Sequence, residues 1–148
     1  LQLLPKVVQN GDTIVDAGTG TGILSIAGIK LGAKHAFAFD IDEWSISNTK
    51  ENILLNEVAD NITVQKGSAE VIPEDEEFDI VLANIERNTI LEILADLEKV
   101  LKNEGALLLS GLLESDKQAV LSRLEDKFKI KEIIQENEWI AIRANKQH

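Results

Sequence analysis

Val15-Asp16-Ala17-Gly18-Thr19-Gly20-Thr21-Gly22-Ile23-Leu24 decides how the chain is to be folded. The stretch begins in a short apolar run, Thr13-Ile14-Val15-Asp16, which is entered through the turn signal Asn10-Gly11-Asp12. Apolar runs of this length bounded by turn residues read as buried strands. Three alternating glycines end the run, and a helical pattern follows. Ile23, Leu24, Ile26, Ala27 and Leu31 line one broad face, with Gly32 at the position of a helix C-terminal glycine. Strand, glycine turn and helix form a first β–α unit.

The same alternation runs outward along the chain. Ala36-Phe37-Ala38-Phe39-Asp40 is a second strand, and Asp42 can cap a helix carrying Ile46, Thr49, Ile53 and Leu54 at helical spacing. Ile62-Thr63-Val64-Gln65 is a third strand. The acidic loop Glu74-Asp75-Glu76-Glu77 leads to a fourth, Phe78 to Ala83. A helix with Ile90, Leu91, Leu94, Leu97, Val100 and Leu101 stops near Asn103-Glu104-Gly105, and Leu107-Leu108-Leu109 is a fifth strand. A further helix spans roughly 114–127. Phe128 to Ile134 and Trp139 to Ile142 then alternate apolar and polar with only four residues between them, too few for a crossover helix. They read as an antiparallel hairpin. Five β–α units and a hairpin make an α/β fold: a doubly wound, mostly parallel, seven-stranded sheet with helices on both faces.

Composition removes several chemistries. At 148 residues the chain suits one domain with a full core. Cysteine is absent, so disulfides, thiolate metal sites and a cysteine nucleophile are excluded. The histidines are His35 and the terminal His148, so a histidine-built metal site or a Ser-His-Asp triad would rest on His35 alone; no metal is expected. No apolar run is long enough to span a membrane, and no signal segment opens the chain, which reads as cytoplasmic. A net charge of −11 repels phosphate backbones and attracts cationic partners, so direct nucleic-acid binding is not expected.

In doubly wound sheets, ligands sit beyond the carboxyl ends of the strands where strand order reverses. After the first strand, Gly18, Gly20 and Gly22 allow sharp turns and close approach of a ligand to the main chain. After the second, Asp40 stands 22 residues beyond Gly18, where a carboxylate can accept both ribose hydroxyls of a nucleoside; Ile41 follows it. After the third, the small polar pair Ser68-Ala69 can flank an adenine. After the fourth comes Asn84, whose amide can accept a hydrogen bond from an amine and hold it for attack. Asn88 is the better cap of the next helix, which frees Asn84 for function. A dinucleotide site prefers Gly-x-Gly-x-x-Gly and no carboxylate beside its pyrophosphate. Here the spacing is Gly-x-Gly-x-Gly and Asp16 precedes it. S-adenosyl-L-methionine has no phosphate and carries a sulfonium and an ammonium, which Asp16 favours.

The stretch 15–24, with Lys30-Leu31-Gly32-Ala33 and Phe39-Asp40-Ile41-Asp42-Glu43-Trp44, resembles the S-adenosylmethionine-dependent methyltransferases of class I. More narrowly, Ala83-Asn84-Ile85, Leu109-Ser110-Gly111-Leu112-Leu113-Glu114 and Glu138-Trp139 resemble the PrmA family, which methylates "L eleven", a protein of the large ribosomal subunit. The resemblance implies a Rossmann-like methyltransferase fold, and Gly18, Asp40 and Asn84 in the cofactor site. It implies a basic, lysine-bearing ribosomal protein as partner and methylation of lysine side chains and an α-amine. Arg87-Asn88 departs from the small, proline-containing continuation of many members.

That family carries an N-terminal substrate-recognition domain and, ahead of the first strand, a cofactor-contacting Phe-Gly-Thr-Gly segment; neither is in this sequence. Together with the absence of methionine and an opening at Leu1, this leads to the expectation that 1–148 is a single methyltransferase domain, a fragment of a longer protein. Alternatives are another methyltransferase of the class acting on a glutamine, a nucleic-acid base or a small molecule; an NAD-dependent oxidoreductase; and a binding module without catalysis.

Overall fold

The computed structural model describes residues 2–148. Seven strands form one sheet: β1 (Thr13–Ala17), β2 (His35–Asp40), β3 (Ile62–Lys66), β4 (Phe78–Asn84), β5 (Leu101–Leu113), β6 (Phe128–Glu136) and β7 (Trp139–Lys146). Their spatial order is β3-β2-β1-β4-β5-β7-β6. The first five strands pair in parallel. β7 is inserted antiparallel between β5 and β6. Order reverses between β1 and β4, which places the candidate crevice at their carboxyl ends.

Helices α1 (Leu4–Val7), α2 (Ile23–Lys30), α3 (Glu43–Leu55), α4 (Arg87–Val100) and α5 (Lys117–Leu124) cover the two faces. The period-2 alternation of the inner strands sorts their side chains between two cores. Val15, Phe37, Phe39, Val81, Leu107 and Leu109 meet α4 and α5 on one face. Ile14, Ala36, Ala38, Ile80, Leu82 and Leu108 meet α1, α2 and α3 on the other. In α4, Ile90, Ile93, Leu94 and Leu97 are the buried stripe, spaced three, four and seven apart.

Several expectations change. The third unit has no α-helix: residues 67–77 hold only a 3₁₀ turn, Ala69–Val71. Pro73 and four consecutive acidic residues disfavour a helix there, by a missing N–H and by mutual repulsion. Asn88 is not the cap of α4; it lies inside the first turn, and Glu86 takes the N-cap position without a side-chain bond. Leu101 opens β5 rather than closing α4. The helix after β5 is shorter than its pattern, a 3₁₀ turn at Glu114–Asp116 followed by α5. Of the five apolar positions expected on the first helix only Ile26 is buried, while Ile23 and Leu31, the latter at the C-cap of α2, face solvent; Leu54 of α3 is exposed too. Asp42 does cap α3, accepting from the Trp44 N–H at 3.3 Å and the Ser45 hydroxyl at 3.1 Å. No helix among the described residues is long and apolar enough to cross a membrane.

Candidate functional site

The glycine loop between β1 and α2 is held from within by Asp16. This side chain is 1% exposed, and one of its oxygens accepts from the Thr19 hydroxyl at 2.8 Å and the Ser25 hydroxyl at 2.6 Å. Burial pushes its carboxyl pKa up. The hydrogen bonds from Ser25 and Thr19 oppose that rise, and the nearby charge of Asp40 adds to it. Asp16 thus reaches the loop from below and does not face the groove.

Neighbouring elements hold the loop from outside. The Gly18 and Thr19 amides both donate to the Phe39 carbonyl, at 2.9 and 3.0 Å. From α3, the Thr49 hydroxyl donates to the Gly20 carbonyl at 2.9 Å and the Asn52 amide to the Thr21 carbonyl at 2.8 Å. The three glycines differ in what surrounds them. A Cβ at Gly18 would collide with the Ile85 side chain, and one at Gly22 would lie 2.8 Å from the Thr49 methyl. At Gly20 a Cβ would meet nothing within 4 Å, so the loop backbone there faces open space.

Asp40 joins the loop to the groove. One carboxylate oxygen accepts from the Gly20 amide at 3.0 Å and the other from the Asp42 amide at 3.0 Å. A carboxylate oxygen has two lone pairs, so each keeps one for a further donor. A groove of about 290 Å³ opens beside it, and its walls include Gly18, Asp40, Ile41, Ser68, Asn84 and Ile85, with Glu86 and Thr89 at the start of α4. Among the described residues, no lysine or arginine lines this groove. Asn84 ends β4 exposed, and among the described residues its carboxamide makes no hydrogen bond.

The structure therefore gathers Gly18, Asp40, Ile41, Ser68 and Asn84 around one groove. Ala69, 8% exposed, lies one residue past Ser68 on the wall of a neighbouring groove against α4. Asp16 and Gly22 are buried behind the loop, while Gly20 faces open space outside the lining of that groove. Ile85, Glu86 and Thr89 escape a reading from sequence, because nothing in residue type distinguishes a groove wall from an ordinary strand-to-helix turn. A second groove, about 340 Å³ and largely apolar, lies at the same edge of the sheet between Leu24, Leu82, Leu108, Gly111 and Trp139. No group of side chains suited to a metal is found among the described residues.

Residues 1–147 match the family model described as ribosomal protein L11 methyltransferase (PrmA). The ribosomal protein L11 methyltransferase of Acetivibrio thermocellus is 45% identical over 141 residues, covering 95% of this chain and 44% of that protein. The one from Anoxybacillus flavithermus is 39% identical over 148 residues, covering 99% of this chain and 47% of its own length. The chain thus spans about half the length of these curated relatives. Among solved structures, the ribosomal protein L11 methylase of Lactobacillus delbrueckii subsp. bulgaricus superposes with a TM-score of 0.91 at 31% identity, over 98% of this chain and 75% of that one. A Streptococcus mutans protein solved in complex with SAH shares the fold at TM-score 0.77 and 18% identity, over 98% of this chain and 94% of that one. A glycine loop braced by Asp40, at the reversal point of this sheet, is thus found in a chain that belongs to the ribosomal protein L11 methyltransferase (PrmA) family.

Proposed function

We propose that this chain is the S-adenosyl-L-methionine-binding domain of an enzyme that methylates amine nitrogens of a ribosomal protein, on lysine side chains and an α-amine. The observation that carries the reading is Asp40: both oxygens are fixed by main-chain amides, both keep a lone pair, and the groove they face has no cation on its walls. Such a groove suits a nucleoside that bears positive charge and repels a pyrophosphate. The residues present fit the cofactor. Asp40 would hold the ribose hydroxyls, Ile41 and Ser68 would flank the adenine with the buried Ala69 backing Ser68 from the neighbouring groove, and the open backbone at Gly20 with Gly18 would border the methionine portion. Asp16 and Gly22 keep that loop in shape.

When bound, the cofactor supplies a methyl group on an electrophilic sulfonium. The chain's own part is positioning. Asn84, at the end of β4, offers a carbonyl oxygen with no competing partner, which can accept a hydrogen from the attacking amine and aim its lone pair. The amine must be neutral to attack. Its proton leaves to solvent, which reaches the groove at the exposed Asn84 and Ile41. The relatives are about twice as long as this chain, which supports recognition of the ribosomal protein by a further domain.

The test compares ligands and then acceptors. S-adenosylhomocysteine at a hundredfold excess over its dissociation constant should stabilise the protein by about 2.7 kcal/mol and raise its melting temperature by roughly 5–10 °C, and NAD should do neither. The full-length protein should then transfer labelled methyl groups to ribosomal protein L11 amines. Stabilisation by NAD instead, or label on RNA but not on protein, would overturn the reading.

A further inference from the structure

We infer that Gly111 is a positioning residue for methyl transfer, and that a bulge in β5 exists to give the Asn84 carboxamide its place. The inference rests on the reading of Asn84 above. Asn84 and Ser110 are register partners at the carboxyl ends of β4 and β5. On its other side β5 pairs with β7, Leu109 opposite Ile142 and Leu112 opposite Ile140. Ser110 and Gly111 therefore stand against Ala141 alone, an extra residue that bends the strand where it passes Asn84. Bulges of this kind re-aim side chains beside functional sites.

Gly111 takes φ +76° in this bulge, and a Cβ built on it would lie 2.5 Å from Asn84 Oδ1. The next nearest atoms, the Asn84 carbonyl carbon and the Ile85 nitrogen, are 3.5 Å away, an ordinary contact. The missing side chain thus makes room for one thing, the carboxamide oxygen of Asn84. Because that carboxamide has no hydrogen bond to hold it, the shape of β5 is what limits where it can turn. The two residues also form a seam. Asn84 lines the groove that holds Asp40, Gly111 lines the apolar groove, and their contact lies between the two. An added methyl at 111 would swing Oδ1 out of its position at that seam and leave Asp40 and the glycine loop untouched.

The test is a double-mutant cycle in the full-length protein, with Gly111→Ala, Asn84→Ala and the pair. Single-turnover methyl transfer, S-adenosylhomocysteine affinity by calorimetry, and thermal melting are the readouts. Gly111→Ala should slow transfer by up to about a hundredfold, as a misplacement of about 1 Å does, with cofactor affinity unchanged. In the Asn84→Ala background it should slow transfer less than about twofold, since there is no carboxamide left to displace. Backbone strain alone would cost the same in both backgrounds, and equal loss in both, or loss in neither, overturns the inference. Should Gly111→Ala fail to fold, melting decides: recovery of folding in the pair supports the contact, and failure of the pair overturns it. A wild-type protein that neither binds S-adenosylhomocysteine nor transfers methyl groups overturns the proposed function instead, which keeps the two failures apart.

Discussion

Asp40 and Asn84 sit at the ends of neighbouring parts of the same crevice and do different work. Asp40 is held by two main-chain amides and so presents its free lone pairs in a fixed direction. Hydrogen bonds to a charged group contribute about 1.5–3 kcal/mol, so Asp40→Ala should weaken S-adenosylhomocysteine binding by roughly ten- to a hundredfold in calorimetry. Unchanged affinity would remove Asp40 from the ribose site. Among the described residues the Asn84 carboxamide has no hydrogen-bond partner, and the role proposed for it lies in the reacting geometry. Asn84→Ala should lower the turnover number by more than it lowers cofactor affinity. Asn84→Asp keeps the shape and adds a charge that pairs with a protonated lysine, so its pH optimum should move upward. Wild-type rates for both variants across a single-turnover pH series would make Asn84 a purely structural strand end. The position of Asn84 is legible in the sequence, since it directly follows the apolar run Ile80 to Ala83. Its freedom from helix capping is not: Asn88 was the better cap by residue type, yet α4 starts at Arg87 and needs neither asparagine as its cap.

At the scale of elements, the glycine loop separates stability from binding. Gly22 has φ +83° and packs against Thr49, so Gly22→Ala combines left-handed backbone strain with a contact at 2.8 Å. It should cost about 1–3 kcal/mol of stability in denaturant unfolding. Gly20 has φ +61° but open space where a Cβ would go. Gly20→Ala should cost about 1 kcal/mol of stability and most of the cofactor affinity, because the methyl enters the space the ligand needs. Equal losses of affinity in both variants, tracking stability, would make the loop a packing turn. The loop was readable from its spacing, and so was the cap of α3 at Asp42. The missing helix between β3 and β4 shows the limit of pattern reading. The alternation of units predicts a helix in every crossover, while Pro73 and the run Glu74 to Glu77 permit only a 3₁₀ turn.

At the scale of the whole molecule, the end of the sheet opposite the crevice is tied together by Asp79. Its carboxylate accepts from the Thr13 amide at 2.9 Å, the Thr13 hydroxyl at 3.2 Å and Lys102 at 3.0 Å, so β1, β4 and β5 meet there. Desolvation would raise its pKa, but the bonds from Thr13 and Lys102 together outweigh it and hold the carboxyl below its ordinary 3.8. A lowered folded value means the stabilisation is present above the unfolded value and is lost as pH falls through the folded one. Asp79→Asn should therefore lower the melting temperature by about 2–4 °C near neutral pH, for about 1 kcal/mol of lost hydrogen bonding. The gap to wild type should begin to narrow below roughly pH 4 and close as pH falls through the lower folded value, where the wild-type carboxyl also protonates. A gap constant across that range would show that the charge of Asp79 contributes nothing.

What the sequence determined by itself is local. Apolar runs, helical stripes, the glycine loop and the capping aspartate are set by contacts within a few residues. They make the strands, most of the helices, the doubly wound class and the groove-wall positions Gly18, Asp40, Ser68 and Asn84 legible in the sequence. Tertiary structure decided what depends on which strands become neighbours. β7 lies between β5 and β6, antiparallel to both, and no residue type in Trp139–Lys146 announces that order. The same placement puts β7 against β5 with one residue too few between Ile140 and Ile142, bulges β5 at Ser110–Gly111, and brings Gly111 against Asn84 across 27 positions of sequence. Pairings over such distances arise from burial shared by the whole sheet, which a local pattern does not carry.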